Sequence, residues 1–372
     1  MKFTIARNTL LNELAWAQGA ADRKVGIPVL SYALVEAQEN RLTLHVTDLD
    51  LTLTTSCEAD VPEAGSVCLP VRRLWEIVKL LPPETVEIKA DDEAHTEIKC
   101  ASARFKMTGL PADHFPELPV FDGVATEVPA DLLAHGLPRL MHAICHEDTR
   151  YALQGARLEI NDERVRCVVT DGSRLALLER TGQPVTNLTA TALVPKKALH
   201  EIAKLAALSM AESRPLSLGI TEERLICQSG ARQLITKLLS GQFPNYEQVI
   251  PAANERAFTL DRGLIAAAVR RVGLMADDRA HTLKLVIGQG EVQLIAHDQE
   301  SGGAAEESLF VHDQGAEFSI GFNAQYLNDF LNAVQEDAVT CAFKDDRTQA
   351  LFTVTLDEQT KWEEVIMPLR LS

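Results

Sequence analysis

The amino-acid sequence predicts an α+β chain of three tandem, similar units, each with antiparallel strands and two amphipathic helices. Three recurrences predict it. A strand–turn–strand segment with Thr-Asp at the turn appears as Leu42–Leu53 (LTLHVTDLDLTL) and Val165–Leu178 (VRCVVTDGSRLALL), and more weakly as Val292–Glu306. A strand feeding a helix opens each unit, from Phe3, Glu127 and Phe258. A short amphipathic helix follows a Pro or Gly turn, from Leu69, Val194 and Gly321. The unit boundaries fall at 1–123, 124–252 and 253–372.

Each element has a local reason. Phe3-Thr4-Ile5 alternates as a half-buried strand before the helix Asn8–Gly19. Leu42, Leu44 and Val46 alternate with polar residues, as antiparallel strands do. Asp48, Asp171 and Asp298 hold matched places, which reads as turn and backbone hydrogen bonding. Phe115-Pro116 and Phe243-Pro244 close the first two units at equivalent positions. Asp261 precedes the helix of unit three as its N-cap. The joins near Phe121-Asp122-Gly123 and Pro251-Ala252-Ala253 are short and turn-like, so the units are expected to pack rigidly.

The 36 Lys+Arg and 53 Asp+Glu of the 372 residues give a net charge of −17. That excludes a protein coating nucleic acid with its whole surface, but not one with a basic face. The 46% hydrophobic and 24% charged fractions exclude disorder or a fibre. No stretch suits a signal peptide or a membrane span. The seven cysteines are scattered and form no CxxC, which points to reduced thiols in the cytoplasm.

The helices reverse the overall charge. The second helix of unit one carries Arg72, Arg73 and Lys79 to one acidic residue, Glu76, and that of unit two carries Lys196, Lys197 and Lys204 to one, Glu201. The first helix of unit two carries Arg139 and one acidic residue, Asp131, and Arg262, Arg270 and Arg271 lie on the first helix of unit three. The plain alternative is the solvated face of amphipathic helices. The functional reading is a patchy basic surface for mobile, non-specific contact with phosphates. Asn8–Gly19 and Asn323–Gln335 lack basic residues.

These segments, taken in order, resemble the bacterial DNA polymerase III beta subunits, the sliding clamps. The resemblance rests on MKFTI with its helix, Ile27-Pro28-Val29-Leu30, Thr47-Asp48-Leu49-Asp50 and Thr170-Asp171-Gly172-Ser173-Arg174-Leu175. It extends to Phe243-Pro244-Asn245-Tyr246 and the C-terminal Val365-Ile366-Met367-Pro368-Leu369-Arg370-Leu371. It implies three DNA-clamp domains with sheets outside and helices lining the hole of a head-to-tail homodimer ring. Such a ring encircles double-stranded DNA without sequence preference and confers processivity. It implies a non-catalytic, cytoplasmic and nucleoid-associated protein with no cofactor, metal or membrane. The implied partners are the DNA polymerase III alpha subunit, the clamp loader, and other polymerases and repair proteins bearing short linear motifs.

The resemblance also assigns residues. Phe105 and Met107 form one end of the dimer contact and Leu274 the other, although ordinary core packing would equally explain the first two. Arg23 and Lys24 fall in a DNA-contacting loop, and Arg150, Tyr151 and Gln154 near another, where Glu147 replaces a polar neutral residue. The peptide groove takes Leu153, Thr170, Gly172, Arg174, Leu175, Pro244, Val249, Val365, Met367, Pro368 and Leu369. Apolar walls with a few polar anchors suit an extended hydrophobic peptide. Ser173, Gln248 and Ala152 replace a usual His, Arg and Tyr.

Two other readings stand beside it. His142, Cys145, His146, Glu147 and Asp148 could ligate a metal in a nucleic-acid enzyme, with His142 and His146 one helical turn apart. No GxSxG, P-loop or dinucleotide fingerprint accompanies them. A clamp paralogue devoted to repair or to inhibitor resistance is the second.

Overall fold

The computed structural model describes residues 1–21, 26–147, 149–182, 185, 188–252, 254–298, 302–312 and 315–371. Its helices are α1 (Arg7–Ala17), α2 (Val71–Leu80), α3 (Leu137–Leu140), α4 (Lys196–Ala211), α5 (Arg262–Val272) and α6 (Ala324–Ala333). The chain divides into two compact units, residues 1–134 with 197–238, and residues 135–196 with 239–372. The middle repeat therefore contributes to both.

In the first unit, a five-stranded sheet runs in the order Asp60–Glu63, Lys2–Ala6, Thr85–Ala90, His95–Cys100, Ala103–Thr108. An eight-stranded sheet joins two repeats, because Leu51–Glu58 of the first pairs antiparallel with Arg232–Lys237 of the second, Leu53 opposite Leu234. The second unit repeats the device. Its eight-stranded sheet is joined by Arg174–Thr181 and Thr360–Ile366, with Leu175 opposite Val365. A four-stranded sheet ends on the edge strand Gly303–Phe310. The repeats are thus not beads on a string: backbone hydrogen bonds cross each repeat border.

The core of the first unit is aliphatic around Phe3, Leu10, Leu14, Leu42, Leu44 and Leu53. That of the second holds aromatic rings, with Phe330 edge-on to Trp362 at 5.1 Å. A buried ion pair ties α1 to the middle repeat: Arg232 donates to both oxygens of Glu13, at 3.0 and 2.6 Å.

The Thr-Asp turns are alike in atomic detail. Asp48 Oδ1 accepts the amides of Asp50 and Leu51, and Asp171 Oδ1 those of Ser173 and Arg174. The Thr47 and Thr170 hydroxyls each accept the amide two residues on. The third position of the motif has positive φ in both, 94° at Gly172 and 79° at Leu49. Only the second copy fills that left-handed position with the residue it favours. In the third copy, residues 299–301 lie outside the described residues.

Two helix expectations need correction. The first helix of unit one begins at Arg7, so it is not free of basic residues; Arg7 Nε donates to Val78 O at the end of α2. The first helix of unit two is broken into a π-turn over Leu132–Gly136, α3 and a 3-10 turn over Met141–Ala143. Pro138 lacks an N–H and collides with the carbonyl four residues back, which prevents a regular helix there. The expected cap does form on α5, where Asp261 Oδ1 accepts Leu264 N at 2.8 Å.

Candidate peptide groove and charged faces

An apolar cavity of about 170 Å³ lies where the middle and third repeats share a sheet. Leu153, Thr170, Gly172, Arg174, Leu175, Pro244, Val249, Val365 and Met367 line it, so nine of the eleven groove residues converge. Pro368 and Leu369 line the adjoining cleft instead. Tyr246 completes the wall and was absent from the expected set, although its FPNY segment was the signal. Its ring packs on Phe243, while its hydroxyl donates to Glu159 and accepts from Arg166. Burial raises its pKa, so it stays a neutral hydrogen-bonding wall. Leu175 and Val365 are fully buried and serve as the cavity floor, so core and groove roles coincide. An apolar cavity of roughly 150 Å³ accepts benzene, so this one takes one or two Leu- or Phe-sized side chains.

Arg174 is a fixed wall of the cavity. Its guanidinium bonds Asp171 at 2.9 Å, Asp329 on α6 at 2.9 Å and His142 O, and stacks on Tyr326 at 4.4 Å. Two carboxylates neutralise it. The tail is pinned where Met367 N donates to Ser173 O at 3.0 Å and Leu369 N to Gly321 O at 2.8 Å. Beneath the floor, Glu364 is buried beside His142, at 3.0 Å. Burial pushes the Glu364 carboxyl above its ordinary range, against the pull of His142 and Arg174.

The supposed metal cluster is dispersed. His142 is engaged by Glu364, His146 faces Lys196 at 3.2 Å, and Asp148 lies outside the described residues. Among the described residues, no group of three or more His, Cys, Asp or Glu is placed to hold a metal ion.

The basic residues separate into free and engaged sets. Arg73 and Lys79 are exposed on α2 with no carboxylate partner among the described residues, and Lys79 lies over Trp75 at 4.8 Å. Arg72 lines an open cleft with Trp75, Lys197, His200 and Lys204. Lys204 is paired with Glu201 at 2.9 Å, and Lys197 with Asp48 and Ala20 O. Lys196 has its pKa lowered by burial and by Arg174. Arg139 corrects the expectation: its side chain is 8% exposed and forked onto Glu336 at 2.7 and 2.9 Å. It carries no surface charge because the broken helix turns it inward over Trp362. Arg271 is likewise forked onto Glu307, and Arg270 faces Asn332. Arg150 sits at the groove rim, bonded to Asp171 O and Glu147; Gln154 donates to Glu147 O, and Tyr151 is exposed. Arg23 and Lys24 lie outside the described residues.

Phe105 and Met107 are on the edge strand Ala103–Thr108, and Phe105 is 37% exposed, so core packing does not explain it. Leu274 is 79% exposed just after α5. On the other edge strand, Phe310 is 78% exposed, a residue sequence reasoning did not single out.

Three similar α+β repeats joined through shared sheets, with an apolar cavity at one join, define a clamp subunit. Comparison with known proteins agrees. Models of the DNA polymerase III beta subunit match in order: its N-terminal domain over residues 1–119, central domain over 127–245 and C-terminal domain over 247–370. The chain is 32% identical over 379 residues to the beta sliding clamp of Caulobacter vibrioides, each chain covered in full. It is 30% identical over 374 residues to that of Pseudomonas putida, again over the whole of both. A crystal structure of the Pseudomonas aeruginosa sliding clamp bound to griselimycin superposes with TM-score 0.91 at 29% identity, covering 100% of both chains. That of the Caulobacter crescentus clamp gives 0.88 at 32%, with the same coverage. The chain belongs to the DNA polymerase III beta subunit family, the bacterial beta sliding clamps.

Proposed function

We propose that two copies close head-to-tail into a ring around duplex DNA and tether the replicative polymerase by its peptide motif. The observation that carries this is the pair of unlike strands that end their sheets: Ala103–Thr108 with exposed Phe105, and Gly303–Phe310 with exposed Phe310 and nearby Leu274. An exposed apolar strand edge invites another strand, and two unlike edges make a heterologous contact of the kind a ring of two copies uses. Phe105, Met107 and Leu274 belong to that contact. Arg72, Arg73, Lys79, Lys196, Lys197, Lys204, Arg150, Tyr151 and Gln154 touch the phosphates weakly, with Arg23 and Lys24. Weak, screened contacts permit sliding. The domains are 1–123, 124–252 and 253–372, and no reaction is catalysed. Among the described residues no helix is long and apolar enough to cross a membrane, which is compatible with a cytoplasmic, nucleoid-associated place.

The apolar cavity receives short motifs of the polymerase alpha subunit, the clamp loader, other polymerases and repair proteins. Retention on DNA tests the topology. Loaded on nicked circular DNA, the protein is expected to stay bound and to leave when the circle is cut. Persistence on the open-ended product contradicts encirclement. Light scattering at micromolar concentration is expected to give the mass of two chains.

A further inference from the structure

We propose that the cleft lined by α2 and α4 receives an unpaired nucleotide of single-stranded DNA, its base against Trp75 and His200 and its phosphates on the flanking cations. The cleft has a volume of about 670 Å³, and its lining lies wholly within the first compact unit. Sites that enclose a small ligand span about 300–1,000 Å³. Both helices bring one pattern to it. Counted from Pro70 and Pro195, Arg72 matches Lys197, Trp75 matches His200 and Lys79 matches Lys204. Residues three and seven places apart share a helix face, so each helix presents a cation, a ring and a second cation along about 10 Å. Grooves for single strands combine these two elements, cations for the backbone and rings for the bases. The equivalent positions of α6, counted from Asn323, are Gln325, Asn328 and Asn332, so the third repeat has neither cation nor ring there.

Charge alone explains little of this cleft. Lys204 is held by Glu201 at 2.9 Å and Lys197 by Asp48, and Glu76 is an exposed carboxylate in the lining. Arg72 and Lys79 have no carboxylate partner among the described residues, and two cations against Glu76 attract phosphate weakly. The rings therefore decide which nucleic acid binds. Trp75 is half-buried with its Nε1 covered, so the side-chain surface it exposes is hydrocarbon, suited to the face of a base. Lys79 Nζ stands 4.8 Å from the ring centre, beside the place of a stacked base. His200 is exposed on the facing pattern. A duplex has its base faces already stacked on one another and offers such rings only sugar and phosphate, whereas a splayed base can stack on them. Arg72, Lys197 and Lys204 are shared with the duplex contact proposed above, but the cleft needs no closed ring.

The test uses the full-length protein, a labelled oligothymidylate of about 12 nucleotides and a duplex of the same length. Of the three tryptophans, Trp16 and Trp362 are 3% and 0% exposed, so Trp75 is the one a base can reach. The single strand is expected to quench tryptophan emission and the duplex to leave it unchanged. By fluorescence anisotropy, Trp75→Leu and His200→Ala each lower single-strand affinity about tenfold, and Trp75→Phe keeps it within about threefold. Duplex affinity stays within about twofold in all three. His200 is exposed, so its variant serves if Trp75→Leu does not fold. Excess Leu-Leu-Phe peptide, which fills the apolar groove, leaves the quench unchanged. No quench by the single strand, an equal quench by the duplex, a quench that survives Trp75→Leu or yields to the peptide, or equal loss of both DNA forms in His200→Ala overturns the assignment. Retention on circular DNA is a separate measurement, so encirclement stands or falls independently.

Discussion

Glu13 offers a quantitative test of what holds the first two repeats together. Its carboxylate is buried and accepts from Arg232 Nε at 3.0 Å, from Arg232 Nη2 at 2.6 Å and from the Thr55 hydroxyl at 2.5 Å. Glu13→Ala strands two guanidinium donors whose side chain is 9% exposed, and among the described residues leaves that side chain the Nη1 bond to Glu212 at 2.7 Å. Breaking a buried pair from one side costs about 3–5 kcal/mol. Glu13→Gln keeps an acceptor but loses the charge, so its cost is about 1.5–3 kcal/mol. Glu13→Leu with Arg232→Met removes both charges and is expected within about 2 kcal/mol of the parent, since desolvation and attraction largely cancel. Urea titration at fixed chain concentration measures the series, because assembly adds stability by mass action. With a slope of about 1–3 kcal/mol per M, Glu13→Ala shifts the midpoint by about 1 M or more. A loss below about 1 kcal/mol, or a double variant as damaged as Glu13→Ala, refutes the reasoning.

Other expectations separate surface from interior. Arg73→Ala should lower the slope of log affinity for duplex DNA against log salt by about 1, whereas Arg139→Ala should leave the slope alone and cost about 3–5 kcal/mol of stability. A changed slope for Arg139→Ala would show that it reaches the phosphates after all. Glu364 has a raised carboxyl pKa in the folded chain, so the native state holds that proton more tightly than the unfolded one. Its contribution is present below the unfolded carboxylate pKa, about 4.3, and is lost as pH rises through the folded value. Glu364→Gln is therefore expected to gain on the parent as pH rises from acid to neutral, read from urea midpoints of both; a difference independent of pH sinks the linkage. Leu49→Gly relaxes the left-handed residue and is expected to raise stability by up to about 1 kcal/mol. A lower urea midpoint would contradict the strain argument.

Much of the molecule was legible in one dimension because repetition is a sequence property. Asp48 and Asp171 recur with the same neighbours, and the structure gives them the same two amide bonds. Alternation and turn chemistry act over a few residues, so strands and caps such as Asp261 could be read directly. Resemblance placed the groove residues, and nine of them meet in one cavity. Arg139 was misplaced because helical periodicity assumes a regular helix, and Gly136 and Pro138 had already broken that one. Tyr246 was passed over because its value depends on Glu159 and Arg166, both distant in the chain.

Three repeats, their strands and the net charge follow from residue order, since the forces that specify them are local. Sharing of sheets across repeat borders does not. The pairing of Leu53 with Leu234 and of Leu175 with Val365 joins segments more than a hundred residues apart. Nothing local encodes such a register; it emerges when each strand edge finds the partner that satisfies its backbone and buries its apolar face. The same holds for charge. Residue order counts cations and anions, but folding decides that Arg139, Arg174 and Arg232 meet carboxylates while Arg73 has no carboxylate partner among the described residues. Burial and distance set the worth of a charge, and both are properties of three dimensions.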